Sequence, residues 1–177
     1  MLRRTFIAAT ALAACLVAPL APAKEAKTLT FGIISTESTQ NLRSVWDPFL
    51  AAMEEKTGYK VKPFFAPDYA GVIEAMRFNK VDLAWYGNKS AMVAVDRAGA
   101  EIFTQTVDVS GNPGYWSLLI THRDSKLKSL DDVWKYADEL SFGNGDPNST
   151  SGFLVPSYYV FAQNDKDPKQ IFKRVLN

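Results

Sequence analysis

The sequence is poor in residues that carry metal, thiol or acid–base chemistry. Its 177 residues include one cysteine, Cys15, and one histidine, His122. A disulfide needs two cysteines, and a zinc site or a Ser-His-Asp triad would depend on that one histidine. His122 stands in the polar stretch 121–124 directly after an apolar run, which favours a solvated strand end. We therefore expect neither zinc nor triad chemistry, and no cofactor.

The chain also lacks an excess of either charge. It has 20 Lys and Arg against 19 Asp and Glu, and removal of residues 1–23, interpreted below as a signal peptide, leaves 18 basic and 19 acidic side chains. Proteins that bind nucleic acid or an anionic membrane surface usually carry a marked basic excess. A near-neutral chain therefore argues against both partners. The roughly 150 residues that remain are enough for one hydrophobic core and marginal for two.

The first 23 residues have the pattern of a secretory signal peptide. Two adjacent arginines precede an apolar run over residues 6–20, and residues 21–23, Ala-Pro-Ala, form a small-x-small cleavage site. An alternative is that Cys15, which ends a Leu-Ala-Ala-Cys lipoprotein motif, is acylated and retained. Because the apolar run continues past Cys15, we favour cleavage after Ala23. The mature protein would then have no thiol.

Strand and helix patterns alternate after the signal peptide. Apolar runs predict strands at 29–34, 61–65, 81–86 and 102–109, and the segments between them have helical spacing of apolar residues. In the first helix Pro48 predicts a division, with the firmer part from Phe49 to a stop at Gly58, and Ser90 is expected to cap the third helix. Such alternation predicts an α/β fold with a parallel sheet, flanking helices and ligands at the carboxyl ends of the strands.

A strong break over residues 110–114 separates this unit from a second one. A strand is predicted at 115–121, followed by a helix that Ser129 caps with Asp132 three residues later. The sequence therefore predicts a second lobe. We place the signal peptide at 1–23, the first lobe at 24–112 and a truncated second lobe at 113–177.

The most informative stretch, residues 140–152, reads as strand end, turn and helix start. It places three hydroxyls, Ser149, Thr150 and Ser151, where an apolar run begins. The first N–H groups of a helix lack internal partners and carry a partial positive charge, so a small oxyanion would be stabilised there. The alternative is that Ser149 or Thr150 only caps the helix. Pro156 predicts that the first turns of this helix are irregular.

The stretch does not match a nucleotide-binding fingerprint. A Walker loop requires Gly-Lys-Ser/Thr, and no lysine lies between residues 140 and 163. The expected ligand is therefore a small oxyanion held mainly by neutral donors.

Two tyrosines are further candidates for that ligand. Tyr69 lies in a loop at a strand end, where its hydroxyl could reach an anion or only hold the loop in place. Tyr115 follows a Pro-Gly turn and starts a strand that could be a hinge. By contrast, packing roles are expected for Trp85, Tyr86 and Trp116, and solvated surface charges for Lys80 and Lys89.

Six segments of the chain resemble the periplasmic phosphonate-binding proteins of bacterial ABC importers. They are FGIISTES at 31–38, FFAPDYAG at 64–71, MRFNKVD at 76–82, AWYGN at 84–88, PGYWS at 113–117 and FGNGDPNSTSGF at 142–153. The resemblance implies a two-lobed type II periplasmic binding protein that closes on a phosphonate, such as 2-aminoethylphosphonate, and delivers it to a membrane permease. It also implies that the substrate-binding residues are Tyr69, Tyr115, Ser149, Thr150 and Ser151.

The chain differs from that family in length, because members of the family carry well over a hundred further residues. Their ligand histidine and the acidic residues that hold an aminoalkyl group lie beyond the position of Asn177, so His122 does not take that role. The sequence is thus interpreted as an N-terminal fragment. Three functions remain to be compared, namely a solute-binding protein for phosphonate or phosphite, an exported hydrolase of phosphorus compounds, and a truncated domain without binding activity.

Overall fold

A three-stranded parallel sheet forms the first part of the structure, a computed structural model that describes residues 27–177. The expected signal peptide and the alternative lipid attachment at Cys15 lie outside the described residues. The strand order is β2-β1-β3, with β1 in the middle. The elements of this part are β1 (Thr28–Ile33), α1 (Thr39–Thr57), β2 (Lys60–Phe65), α2 (Tyr69–Arg77), β3 (Leu83–Trp85) and α3 (Asn88–Ala98).

The core of this part lies against both faces of β1. Ile33 and Ile34 are fully buried, as are Val72 and Ile73 of α2. Ile34 packs with Val72 of α2 in one cluster, and Ile33 packs with Phe31 and with Leu42 and Leu50 of α1 in the other. Burial of such side chains contributes about 1.5 to 3 kcal/mol each and fixes the helices on the sheet. The strand ends that carry Tyr69 and Gly87 are thereby held at one edge.

Helix α1 corrects the predicted division at Pro48, which lies inside one continuous helix. A proline in a helix removes the hydrogen bond to the carbonyl four residues earlier, here that of Ser44. Both residues are exposed, so water can hydrate the free carbonyl. The predicted stop at Gly58 is confirmed, because Gly58 adopts a left-handed conformation with φ of 70° and its N–H donates to the carbonyl of Glu54.

Helix α3 corrects the predicted cap. Gly87 occupies the cap position, and Ser90 is the third helical residue. The buried Ser90 hydroxyl accepts the Gly87 N–H and also lies 3.0 Å from the Gly87 carbonyl oxygen, to which it can donate. A serine at this position can therefore stabilise the start of the helix by bonding back to the cap residue.

The segment from 100 to 129 is irregular and contradicts two predicted strands. Neither 102–109 nor 115–121 is a strand, and the segment contains one isolated antiparallel bridge, between Val107 and Pro113. Apolar alternation becomes a strand only when another strand supplies hydrogen-bond partners. Within residues 27–177 no strand lies beside either run, so their apolar side chains are exposed.

A second, two-stranded parallel sheet follows. Its elements are α4 (Leu130–Lys135), β4 (Ser141–Gly143), α5 (Pro168–Ile171) and β5 (Arg174–Leu176), with β4 paired to β5. The predicted cap of α4 is confirmed, since Ser129 and Asp132 bond reciprocally. Ala137, Phe161 and Phe172 form the core of this part. None of the helices described between residues 27 and 177 is long and apolar enough to cross a membrane.

Candidate functional site

The start of the helix after β4 is built by a closed loop. The N–H of Gly145 donates to the carbonyl of Gly152 at 2.8 Å, and a Cβ on Gly145 would lie 2.7 Å from the Gly152 backbone. Only glycine permits that approach. Within the loop the N–H of Ser149 donates to the carbonyl of Asp146 at 2.8 Å. The loop therefore fixes the position of Ser149 at the helix start.

The helix itself begins irregularly, as predicted from Pro156. Residues Thr150–Leu154 and Pro156–Phe161 form π-helical turns, and the N–H of Leu154 donates to the carbonyl of Ser149 at 3.1 Å. Ser149 is the cap residue, and its hydroxyl oxygen accepts the N–H of Gly152 at 3.0 Å. The predicted capping role of Ser149 is confirmed.

Thr150 connects this helix start to helix α3. Its hydroxyl oxygen accepts the backbone N–H of Lys89, in the first turn of α3, at 2.9 Å. The same oxygen lies 3.3 Å from where a Cβ on Gly87 would be, and the Tyr115 hydroxyl lies 3.8 Å from that point. The starts of α3 and of the π-helical segment therefore meet around Gly87. The sequence motif AWYGN contains this glycine, but its spacing gave no signal that Gly87 would face Thr150.

The two cap hydroxyls accept backbone N–H groups and so retain one proton each to donate. A hydroxyl has one proton to donate and two lone pairs to accept with. Thr150 accepts from Lys89 and can still donate its proton to an oxyanion, whereas Ser149, which accepts from Gly152, has one proton to donate either to the neighbouring Tyr69 hydroxyl or to a ligand. Capping and ligand binding are thus compatible, whereas the sequence pattern presented them as alternatives.

Tyr69 is the first residue of α2 and is almost completely buried. Burial raises the pKa of the Tyr69 phenol, the hydrogen-bonding side chain of Ser149 lowers it to a smaller extent, and the charge of Asp146 raises it further. A phenol with a raised pKa stays protonated and remains a hydrogen-bond donor. The structure thus brings Tyr69 and Ser149 together although they lie 80 positions apart in the sequence.

Tyr115 and Ser151 line an open cleft of about 340 Å³ beside these residues. Tyr115 is 62% exposed, so its hydroxyl is accessible from the cleft. The backbone of Ser151 is held in place, since its carbonyl accepts the hydroxyl of Ser117, which also lines the cleft, at 2.7 Å. The cleft is lined by neutral residues, namely Asn88, Gly114, Tyr115, Trp116, Ser117, Thr150, Ser151 and Val155.

Packing roles were predicted for three aromatic residues near the cleft, and two of them pack. Trp85 packs as predicted, with its ring centroid 5.2 Å from that of Trp46. Tyr86 packs as well, and its hydroxyl donates to the carbonyl of Val72 at 3.3 Å. The prediction for Trp116 is wrong, because this residue is 87% exposed and lines the cleft, in the irregular segment that offers no core to pack into.

Two charged or titratable residues lie outside the cleft. The side chain of Lys89 was expected in solvent but is partly buried, with its ammonium 4.7 Å above the ring of Phe153. A cation–π contact of this kind attracts the side chain away from bulk water. His122 is 80% exposed beside Asp124, which confirms the predicted solvated position. Among residues 27–177 no cluster of His, Cys, Asp and Glu could hold a metal ion.

Comparison with known proteins gives matches over most of the chain. Residues 31–177 match a family described as ABC transporter, phosphonate, periplasmic substrate-binding protein. The phosphonates-binding periplasmic protein of Escherichia coli is 59% identical over 162 residues, which cover 92% of this chain and 48% of that protein. The phosphate-import protein PhnD of Mycolicibacterium smegmatis is 36% identical, over 74% of this chain and 40% of that protein.

A crystal structure gives a similar result for the fold. A binding protein component of an ABC phosphonate transporter from Pseudomonas aeruginosa is 66% identical, with a TM-score of 0.84, over 86% of this chain and 51% of that one. This likeness confirms the predicted mixed α/β fold of the periplasmic binding protein type. The chain spans about half the length of the relatives it matches.

Proposed function

We propose that this chain, which belongs to the family of periplasmic substrate-binding proteins of phosphonate ABC transporters, forms part of a site that captures phosphonates in the periplasm for delivery to a membrane permease. The observation that carries the proposal is the cluster of hydroxyl donors at the start of the helix after β4. Ser149 and Thr150 each accept a backbone N–H group and retain one proton to donate, and the Tyr69 phenol is beside Ser149. In this proposal Tyr115 and Ser151 complete the donor set from the cleft.

The chemistry of these donors suits a phosphonate group. A phosphonate presents three oxygens on one phosphorus, and hydrogen bonds to charged acceptors are roughly twice as strong as neutral ones. Helix-start N–H groups add partial positive charge on the same side. Because the cleft residues are neutral, the ligand would be recognised through hydrogen bonds rather than an ion pair.

The preferred phosphorus oxyanion is a separate part of the proposal. We favour an organic phosphonate such as 2-aminoethylphosphonate, since two relatives of this chain, at 59% and 66% identity, carry phosphonate in their names. Phosphite is the alternative ligand, and the name of the mycobacterial relative adds phosphate to the comparison. All three would place the same oxygens against the same hydroxyls and would differ only in the fourth substituent on phosphorus.

An exported hydrolase is the alternative from another class. Such an enzyme would need a base to remove the proton of Ser149 or Thr150. Asp146, the nearest acid in sequence, instead accepts two backbone N–H groups, those of Tyr69 and Asn148. This arrangement supports binding over hydrolysis. The third possibility, a truncated domain without binding activity, is addressed by experiment.

The test is calorimetry on the full-length protein and on the 177-residue chain. We expect the full-length protein to bind 2-aminoethylphosphonate or phosphite more tightly than phosphate and sulfate, without added metal. Tight binding of sulfate alone would overturn the proposal, and turnover of a phosphonate ester would favour the hydrolase. The lobe boundary proposed at residues 112 and 113 would be tested by limited proteolysis, with cleavage expected in 110–114.

A further inference from the structure

We propose that Asp146 is the positioning residue of the oxyanion site, because it bonds at once to Tyr69 and to Ser149 and so sets the distance between their hydroxyls. The inference rests on the proposed function of this site. Asp146 would not touch the ligand. It would act through the two residues that do.

Three hydrogen bonds connect Asp146 to its neighbours. One carboxylate oxygen accepts the backbone N–H of Tyr69 at 3.2 Å, and the other accepts that of Asn148 at 2.7 Å. The carbonyl of Asp146 accepts the N–H of Ser149 at 2.8 Å. A single residue thus holds the first residue of α2 and the cap residue of the π-helical segment.

The bond to Tyr69 is not needed to start helix α2. Asp68 already caps that helix, since its carboxylate accepts the N–H of Gly71 at 2.7 Å. The N–H of Tyr69 is one of the helix-start donors without an internal partner, and water could satisfy it at the surface. Here a carboxylate from 77 positions later in the chain takes that place. The bond therefore holds the start of α2 against the loop that contains Asp146, rather than stabilising the helix itself.

The negative charge of Asp146 also opposes the binding of an anion nearby. A carboxylate near the Tyr69 phenol places negative charge close to the expected oxyanion. Its charge would therefore weaken anion binding, whereas its positioning of Tyr69 and Ser149 would strengthen it. If charge dominated, removal of the carboxylate would tighten anion binding. If position dominates, removal would weaken binding because Tyr69 and Ser149 would no longer be held at a fixed separation. Both backbone N–H groups partly neutralise the carboxylate, so we expect position to dominate.

The experiment uses Asp146→Asn and Asp146→Glu in the full-length protein, with affinity for 2-aminoethylphosphonate measured by calorimetry. Asn keeps the shape but turns an amide NH₂ toward one N–H, and Glu keeps the charge but displaces it. We expect both to weaken binding about tenfold, the effect of one lost hydrogen-bonded contact in the site. Asp132→Asn is the matched control, since Asp132 accepts the N–H groups of Lys128 and Ser129 at a helix start outside the cleft.

A double-mutant cycle with Tyr69→Phe separates positioning from a general structural effect. If Asp146 acts through the Tyr69 hydroxyl, Asp146→Asn should have little further effect on affinity in the Tyr69→Phe background. Unchanged or tighter binding in Asp146→Asn, or effects that simply add in the double mutant, would overturn the inference. Failure of the wild-type protein to bind any phosphorus oxyanion would instead overturn the proposed function.

Discussion

The backbone N–H of Lys89 donates to the hydroxyl oxygen of Thr150 at 2.9 Å, so the first residue of one helical segment bonds to the first turn of another helix 61 positions earlier in the chain. The bond uses the Thr150 oxygen as an acceptor and leaves its proton for a ligand. It also satisfies an N–H in the first turn of α3 that has no partner within the helix. One hydroxyl therefore links α3, the π-helical segment and the proposed oxyanion site.

Thr150→Val should weaken both the fold and ligand binding. Valine keeps the shape but leaves the Lys89 N–H without its partner, which costs about 1 to 3 kcal/mol of stability. Loss of one bond to a charged ligand should reduce affinity roughly ten- to a hundredfold. Denaturant unfolding and calorimetry on the full-length protein measure the two effects. Thr150→Ser, which retains the hydroxyl, is the control and should bind within a fewfold of wild type; a Thr150→Val protein with normal affinity would remove Thr150 from the site.

Ser149→Ala should also lower both quantities, for a different structural reason. The Ser149 oxygen accepts the Gly152 N–H in its own helix, and loss of such a cap costs about 1 kcal/mol. Affinity should fall roughly tenfold or more because the proton donated to the ligand is lost as well. Ser129→Ala provides the comparison, since Ser129 caps α4 by the same kind of bond away from the cleft. If both variants lose stability and neither loses affinity, Ser149 is only a cap.

The residues of the proposed site show what sequence could predict and what it could not. Local chemistry predicted the hydroxyls of Ser149 and Thr150, because a helix start has a recognisable pattern. Their partners were not predictable, since the contacts with Lys89 and Tyr69 span 61 and about 80 positions. Such contacts depend on how the sheet edge meets the loop, and no local spacing encodes that.

Gly145→Ala should disrupt the loop that presents Ser149. The added Cβ would lie 2.7 Å from the Gly152 backbone, which cannot move without opening the loop. Overpacking of this kind costs about 1 to 3 kcal/mol, and we expect phosphonate affinity to fall with it. Gly143→Ala is the matched control, because nothing lies within 4 Å of a Cβ there. Equal stability and affinity of the two variants, measured by thermal unfolding and calorimetry, would show that the close approach does not matter.

Tyr86 should make the protein sensitive to high pH. Burial raises the pKa of Tyr86 to about 12, so the folded protein keeps this proton after the unfolded chain has lost it at about pH 10. The native state then binds more protons, and the free energy of unfolding should fall as pH rises from about 10 to 12. Tyr86→Phe should flatten that fall in urea unfolding experiments. An identical pH dependence in the variant would mean that Tyr86 is not responsible.

The prediction of strands at 102–109 and 115–121 was wrong, and the reason also explains why apolar side chains are exposed there. Their apolar patterns are real, but a strand also requires a neighbour, and none lies beside them in residues 27–177. The side chains that would face a core are therefore exposed; Phe103 is 73% and Ile120 is 93% exposed. The local pattern indicates that these runs favour strand conformation, but it does not indicate whether a second strand lies beside them.

The last prediction is that the 177-residue chain associates with itself through this exposed apolar segment. Exposed side chains on neighbouring apolar runs, without strand partners, favour contacts between molecules. Sedimentation velocity should show a sedimentation coefficient that rises with concentration, and Phe103→Lys with Ile120→Lys should reduce that rise. Val45→Lys is the control, because Val45 is 70% exposed but stands on α1, outside the segment. A chain that stays monomeric at every concentration, or a control that reduces association equally, would contradict the prediction, since the segment would then have no special affinity for apolar surface.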